Sequence, residues 1–288
     1  MGKRTGAVNT DPISQKQAVE LDVASKIDGP IGRLTQLQRS LLFAEISMLS
    51  YLRDDEAQPV FREVGFDDVQ YIERDGAQAY TLATERDLVV VCRGTEPNEW
   101  NDIRADANAL TDLAETVGRV HRGFKREVDD IWPELEDRLR NEERYVWFCG
   151  HSLGAAMAQI CAGRCQLSDI AAVPAEVATF GSPRVGTKRY IQHARVRHLR
   201  WVNNNDIVTR VPPRWLRYRH TGTLMYLDSK GEFKKYTPAQ RGKDRWAGFW
   251  DGIKQRRFDH FSDHAIAAYV AHIRRAAESR TAPDQPRR

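Results

Sequence analysis

Gly150-His151-Ser152-Leu153-Gly154 follows the apolar run of residues 145–149 and precedes a stretch rich in small residues, Ala155, Ala156, Ala158 and Ala162. That order predicts strand, sharp turn, helix. Val146, Trp147 and Phe148 read as a buried strand, and the alanines leave the following helix room to pack closely on a sheet. In a Gly-x-Ser-x-Gly turn the serine takes a strained backbone conformation, and the glycines let strand and helix pass close together, so the hydroxyl stands free at the sheet edge. Ser152 is therefore the candidate nucleophile.

Working outward, helical and strand patterns alternate. Residues 34–52 place Leu37, Leu41, Leu42, Ile46 and Leu49 on the broad apolar face of an amphipathic helix. Residues 69–73, 79–84 and 88–92 read as strands, the first two joined as a hairpin across Asp75-Gly76. Phe124, Val128, Ile131, Leu135 and Leu139 recur at helical spacing, residues 176–180, 198–203 and 224–227 read as strands, and residues 263–277 close the pattern as a helix. This alternation predicts an α/β fold, with a mainly parallel central sheet flanked by helices and its chemistry at the carboxyl ends of the strands. No linker divides the chain, so a single domain over residues 1–288 is expected. Flexible ends are expected at about residues 1–30 and 279–288, and a cap or lid segment at residues 243–258.

The 288 residues are 41% hydrophobic, enough for a sizeable core. No apolar run of about 18 residues marks a transmembrane segment, residues 1–20 lack the apolar stretch of a signal peptide, and the default expectation is a cytoplasmic protein. Cys92, Cys149, Cys161 and Cys165 lack zinc-site spacing and read as small buried hydrophobes. The net charge of +4 conceals an asymmetry: residues 189–260 hold 17 Lys or Arg against six Asp or Glu. A basic face of this kind attracts anionic lipid or an acidic substrate, although a merely solvated surface has the same composition. No nucleic-acid-binding module accompanies it, and no nucleic-acid partner is expected.

A serine nucleophile needs a base, and the base needs an orienting carboxylate; in this architecture they follow in the order Ser, Asp, His. Asp206, after the strand at 198–203, is the carboxylate best placed to hold a histidine tautomer. His220, His260, His264 and His272 follow it. His264 is preferred because it opens the last helix, where a loop-to-helix junction can hold an imidazole over the site. A metal pair of His260 and His264 is discounted, since the glutamate of a His-Glu-x-x-His site is absent; no metal or organic cofactor is implied, because hydroxyl, imidazole and backbone donors perform acyl transfer themselves. Oxyanion donors are expected from the Leu153 N–H, next to the nucleophile, and from Thr95 in the Arg93-Gly94-Thr95 turn that ends an earlier strand.

These stretches, together with Val120 to Phe124, Thr179 to Gly186, Asn205-Asp206-Ile207-Val208 with Val211-Pro212, and Ser262-Asp263-His264 with Tyr269, resemble the class 3 lipase family, the α/β-hydrolases related to filamentous-fungal triacylglycerol lipases. The resemblance implies a catalytic triad of Ser152, Asp206 and His264 with Thr95 and Leu153 as oxyanion donors, and structural roles for residues 121–124 and 180–186. It also implies a lid after the oxyanion loop, where Trp100 is the candidate aromatic within a rather polar segment. Trp246, Phe249 and Trp250, interleaved with basic residues, form a second candidate for lid, cap or lipid-interface contact. The expected partner is a lipid or other ester substrate, with acylglycerols foremost. Phospholipase A1, feruloyl esterase and short-chain esterase chemistry would use the same triad, and a catalytically silent lipid-binding hydrolase fold is the non-enzyme reading.

Overall fold

The computed structural model describes residues 23–94, 111–114, 117–233, 237, 240 and 264–281. Helices α1 (Gln36–Leu49) and α2 (Asp54–Val64) lead into three antiparallel strands, β1 (Asp68–Arg74), β2 (Ala77–Ala83) and β3 (Asp87–Cys92). The short strands β4 (Thr111–Leu113) and β5 (Arg119–His121) precede helix α3 (Arg122–Leu139). The central unit is strand β6 (Tyr145–His151), helix α4 (Leu153–Leu167) and strand β7 (Pro174–Phe180). After it come β8 (Gly186–Thr187), α5 (Lys188–His193), β9 (His198–Asn203), β10 (Tyr218–Arg219), β11 (Thr223–Leu227) and α6 (Ile266–Thr281).

The main sheet runs in the order β1-β2-β3-β6-β7-β9-β11. From β3 to β11 every neighbouring pair is parallel, whereas β1 and β2 are antiparallel additions at one edge. Alternation assigns the core. Leu88, Val90 and Cys92 of β3, with Val146 and Phe148 of β6, pack under α3 and α4 on one face. Val89, Val91, Trp147 and Cys149 pack on the opposite face under α1, α2 and α6. Two-sided burial explains why these strands read as continuous apolar runs.

Several expectations are corrected. Helix α1 is buried on nearly every side, including Arg39, Ser40, Glu45 and Ser47, because α2, α6 and the segment before α1 cover the face expected to meet solvent. Its start is a capping box: the Thr35 hydroxyl accepts from the Gln38 N–H, and the Gln38 side chain accepts from the Thr35 N–H. Residues 23–30, expected among the flexible ends, are tied down. Ala24 and Ser25 donate backbone N–H groups to Glu45, and Ile27 donates to the Val64 carbonyl. The last helix continues through residue 281 rather than ending at residue 277. Helix α2, which contains Pro59, and the small antiparallel sheet β10-β8-β5-β4 were not anticipated.

Candidate active site

Strand β6 ends at His151 and helix α4 begins at Leu153, leaving Ser152 alone in the turn with φ 58° and ψ −125°. Positive φ in a non-glycine residue costs on the order of 1–3 kcal/mol, which the surrounding structure must offset. Ser152 is held there by its N–H donating to the Phe180 carbonyl of β7 at 3.0 Å. Close passage is secured by Gly154, where a Cβ would collide with the Cys92 carbonyl at the end of β3.

Asp206 follows β9 in a tight turn whose N–H donates to the Asn203 carbonyl at 2.8 Å. Its carboxylate is fully buried yet well supplied with donors: the Val208 N–H at 2.9 Å, the Tyr269 hydroxyl at 2.6 Å and His264 Nδ1 at 3.0 Å from both oxygens. Three donors satisfy a buried anion that would otherwise be costly. His264 lies just before α6, and its Nε2 stands 2.8 Å from the Ser152 hydroxyl. With Nδ1–H donating to the carboxylate, Nε2 is the bare nitrogen and accepts from the serine O–H. Ser152, His264 and Asp206 therefore form one buried, hydrogen-bonded line.

A second histidine backs the first. His151 Nε2 is 2.7 Å from the His264 carbonyl, which can only accept, so this nitrogen carries the proton and Nδ1 accepts from the Tyr51 hydroxyl at 2.9 Å. Burial, with His264 close by, holds the His151 imidazole well below the usual histidine range, so it stays neutral. Gly181, with φ 61°, faces the line from the end of β7; a Cβ there would stand 2.7 Å from Asp206 Oδ2 and 2.9 Å from the His264 ring.

The other candidates fall elsewhere. His220 donates through Nε2 to the Thr209 carbonyl at 2.7 Å and is pushed down to about 2 by burial and the Arg200 and Arg184 charges. His272 lies within α6. Leu153 is the first residue of α4, where backbone N–H groups have no carbonyl partner inside the helix. Thr95, Trp100, Trp246, Phe249, Trp250 and His260 lie outside the described residues. His121 acts structurally, its Nδ1 accepting from the Phe124 N–H at the start of α3. The four cysteines are buried and free, and burial pushes the Cys149 thiol up to about 12. Among the described residues, no group of three or more His, Cys, Asp or Glu is placed to hold a metal ion.

A mostly parallel sheet, a serine on a strained strand-to-helix turn and a histidine and aspartate reaching it from later loops together define the α/β-hydrolase class. Residues 89–215 match the family model described as lipase (class 3). The chain is 35% identical over 107 residues to phospholipase A1-II 5 of Oryza sativa subsp. indica, covering 34% of this chain and 23% of that protein. Over 189 residues it is 29% identical to secreted mono- and diacylglycerol lipase LIP2 of Malassezia restricta, covering 58% of this chain and 60% of that protein. The matched segments thus span less than two thirds of these relatives. Among solved structures, the triacylglyceride lipase of Rhizomucor miehei shares the fold with a TM-score of 0.56 at 20% identity, covering 67% of this chain and 81% of that one.

Tyr51, His151 and Gly181 were not singled out as site residues from the sequence, and Tyr269 had no assigned role. His151 sits inside the decisive pentapeptide, and Tyr269 follows the candidate base by little more than a helical turn, so both left a signal. Tyr51 left none, since it is 100 residues from its partner.

Proposed function

We propose that this chain is a serine carboxylic-ester hydrolase that cleaves acylglycerols or related lipid esters. The observation that carries this reading is the continuous line from the Ser152 hydroxyl through His264 to the Asp206 carboxylate. Ser152 Oγ attacks the ester carbonyl carbon as its proton passes to His264 Nε2, and the carbonyl electron pair moves onto oxygen. Asp206 offsets the imidazolium charge. The Leu153 N–H, with Thr95 as second donor, receives the oxyanion. When the carbonyl re-forms, the C–O bond to the alcohol breaks and the leaving oxygen takes the proton from His264 Nε2. Water then gives a proton to His264 and attacks the acyl-enzyme, and collapse releases the carboxylic acid and restores the Ser152 hydroxyl.

Lipid esters are favoured because the relatives include acylglycerol lipases, and phospholipids are the second reading because phospholipases A1 share the matched segment. The test is hydrolysis of p-nitrophenyl esters from acetyl to palmitoyl, of emulsified diacylglycerol and of phosphatidylcholine vesicles, each with Ser152→Ala alongside. The variant should fold normally and lose about five orders of magnitude in kcat; equal rates in both proteins would overturn the reading. A preference for phosphatidylcholine over diacylglycerol would select the phospholipase form.

A further inference from the structure

The stretch between Asp206 and Asp228 contains four arginines, at 210, 214, 217 and 219, and no carboxylate. It leaves the carboxyl end of β9 immediately after Asp206, at the same sheet edge as the Ser152–His264 pair. Its crest is the short 3-10 turn Arg214–Leu216, where Trp215 is 78% exposed between the exposed Arg214 and Arg217. An exposed tryptophan on a soluble surface forfeits its large apolar burial, whereas at a lipid headgroup boundary its apolar ring and polar N–H are both accommodated.

The loop is built to hold that crest out. Arg184, from the segment after β7, donates through Nη1 to the Arg210 and Pro212 carbonyls, and its own N–H donates to the Val211 carbonyl at 2.8 Å. Arg219 Nη1 donates to the Arg214 and Tyr218 carbonyls, both at 2.8 Å. Carbonyl acceptors satisfy guanidinium hydrogens without cancelling their charge. Among the described residues, no carboxylate pairs with Arg184, Arg214, Arg217 or Arg219. Burial, and secondarily the neighbouring Arg214, Arg219 and Arg210 charges, push Arg184 down to about 10.

We propose that the loop of residues 209–219 is a membrane-docking element, with Trp215 entering the headgroup region of an anionic phospholipid surface and Arg214 and Arg217 pairing with its phosphates. The charge complementarity selects anionic over zwitterionic lipid, since juxtamembrane arginines gain most where the surface potential is negative. Docking there brings the esters of the surface to the edge that carries Ser152. The purpose assigned to the loop rests on the hydrolase reading, but its binding does not.

The experiment is sedimentation of the Ser152→Ala protein with phosphatidylcholine vesicles containing or lacking phosphatidylglycerol, so that binding is read without hydrolysis. Binding should require phosphatidylglycerol and weaken as salt is raised. Arg214→Glu with Arg217→Glu should weaken it by about twentyfold or more, and Trp215→Ala by about fivefold. Circular dichroism melting checks that these exposed substitutions leave the fold intact, and salt dependence of the unsubstituted loop reads the same charges without substitution. Equal binding by the loop variants, or equal binding to both vesicle types, would overturn the proposal.

Discussion

At the scale of single residues, the site depends on what is missing as much as on what is present. Gly181 meets Asp206 Oδ2 and the His264 ring with no side chain between. Gly181→Ala should therefore displace the aspartate or the imidazole and strain a backbone held at φ 61°, lowering kcat by about a hundredfold or more and stability by about 1–3 kcal/mol. Steady-state kinetics and urea unfolding check this; an unaltered kcat would show that the line tolerates movement. Ser152, Asp206 and His264 were legible as candidates because each sits where a strand or helix pattern breaks, in the order Ser, Asp, His, and the structure brings the three within hydrogen-bond reach. Gly181 was legible only as part of a structural signature, because its importance is the emptiness above its Cα, which depends on two residues from other loops.

At the scale of elements, helix α1 shows how charge can be built into a core. Arg39 makes a two-point contact with Glu176 of β7, at 2.9 and 3.2 Å, donates to the Leu34 carbonyl and lies over the Trp147 ring. Both side chains of the pair are almost wholly buried. Glu176→Ala should destabilise the fold by about 3–5 kcal/mol by stranding the guanidinium, whereas replacing Arg39 and Glu176 together by apolar residues of similar volume should recover most of that loss. Urea titration of the three proteins separates the outcomes, and a single variant as stable as the parent would refute the coupling. The leucines at helical spacing showed one apolar face of this helix, but nothing local showed that Arg39 and Glu45 on its other side are buried as well. Their partners, Glu176 and Arg274, are remote in the chain. The parallel core strands were readable from local runs such as Val89-Val90-Val91, while β8, only two residues long, is too short to show a period.

At the scale of the whole molecule, burial strongly favours the neutral form of His151, His198 and His220. His151 lies well below its usual range, His198 is pushed down to about 3 from 6.5, and His220 to about 2. In the unfolded chain each takes a proton near pH 6.5, which the folded chain refuses. Stability is therefore greatest above pH 6.5 and falls as the pH drops toward 3, by about 1.4 kcal/mol per pH unit for each fully buried histidine. Calorimetry should show Tm falling from pH 7 to pH 5, with a shallower slope in His198→Asn; a Tm independent of pH over this window would contradict the assignment. Among the described residues, no helix is long and apolar enough to cross a membrane. The central architecture spreads its parts widely along the polypeptide: His264 comes 112 residues after Ser152, just before a helix whose Arg274 is clasped by Glu45 of the first helix. Synthesis therefore sets a clock. A ribosome needs roughly 6–22 s to travel from the serine codon to the histidine codon, and through that interval the nascent chain carries Ser152 without its imidazole partner.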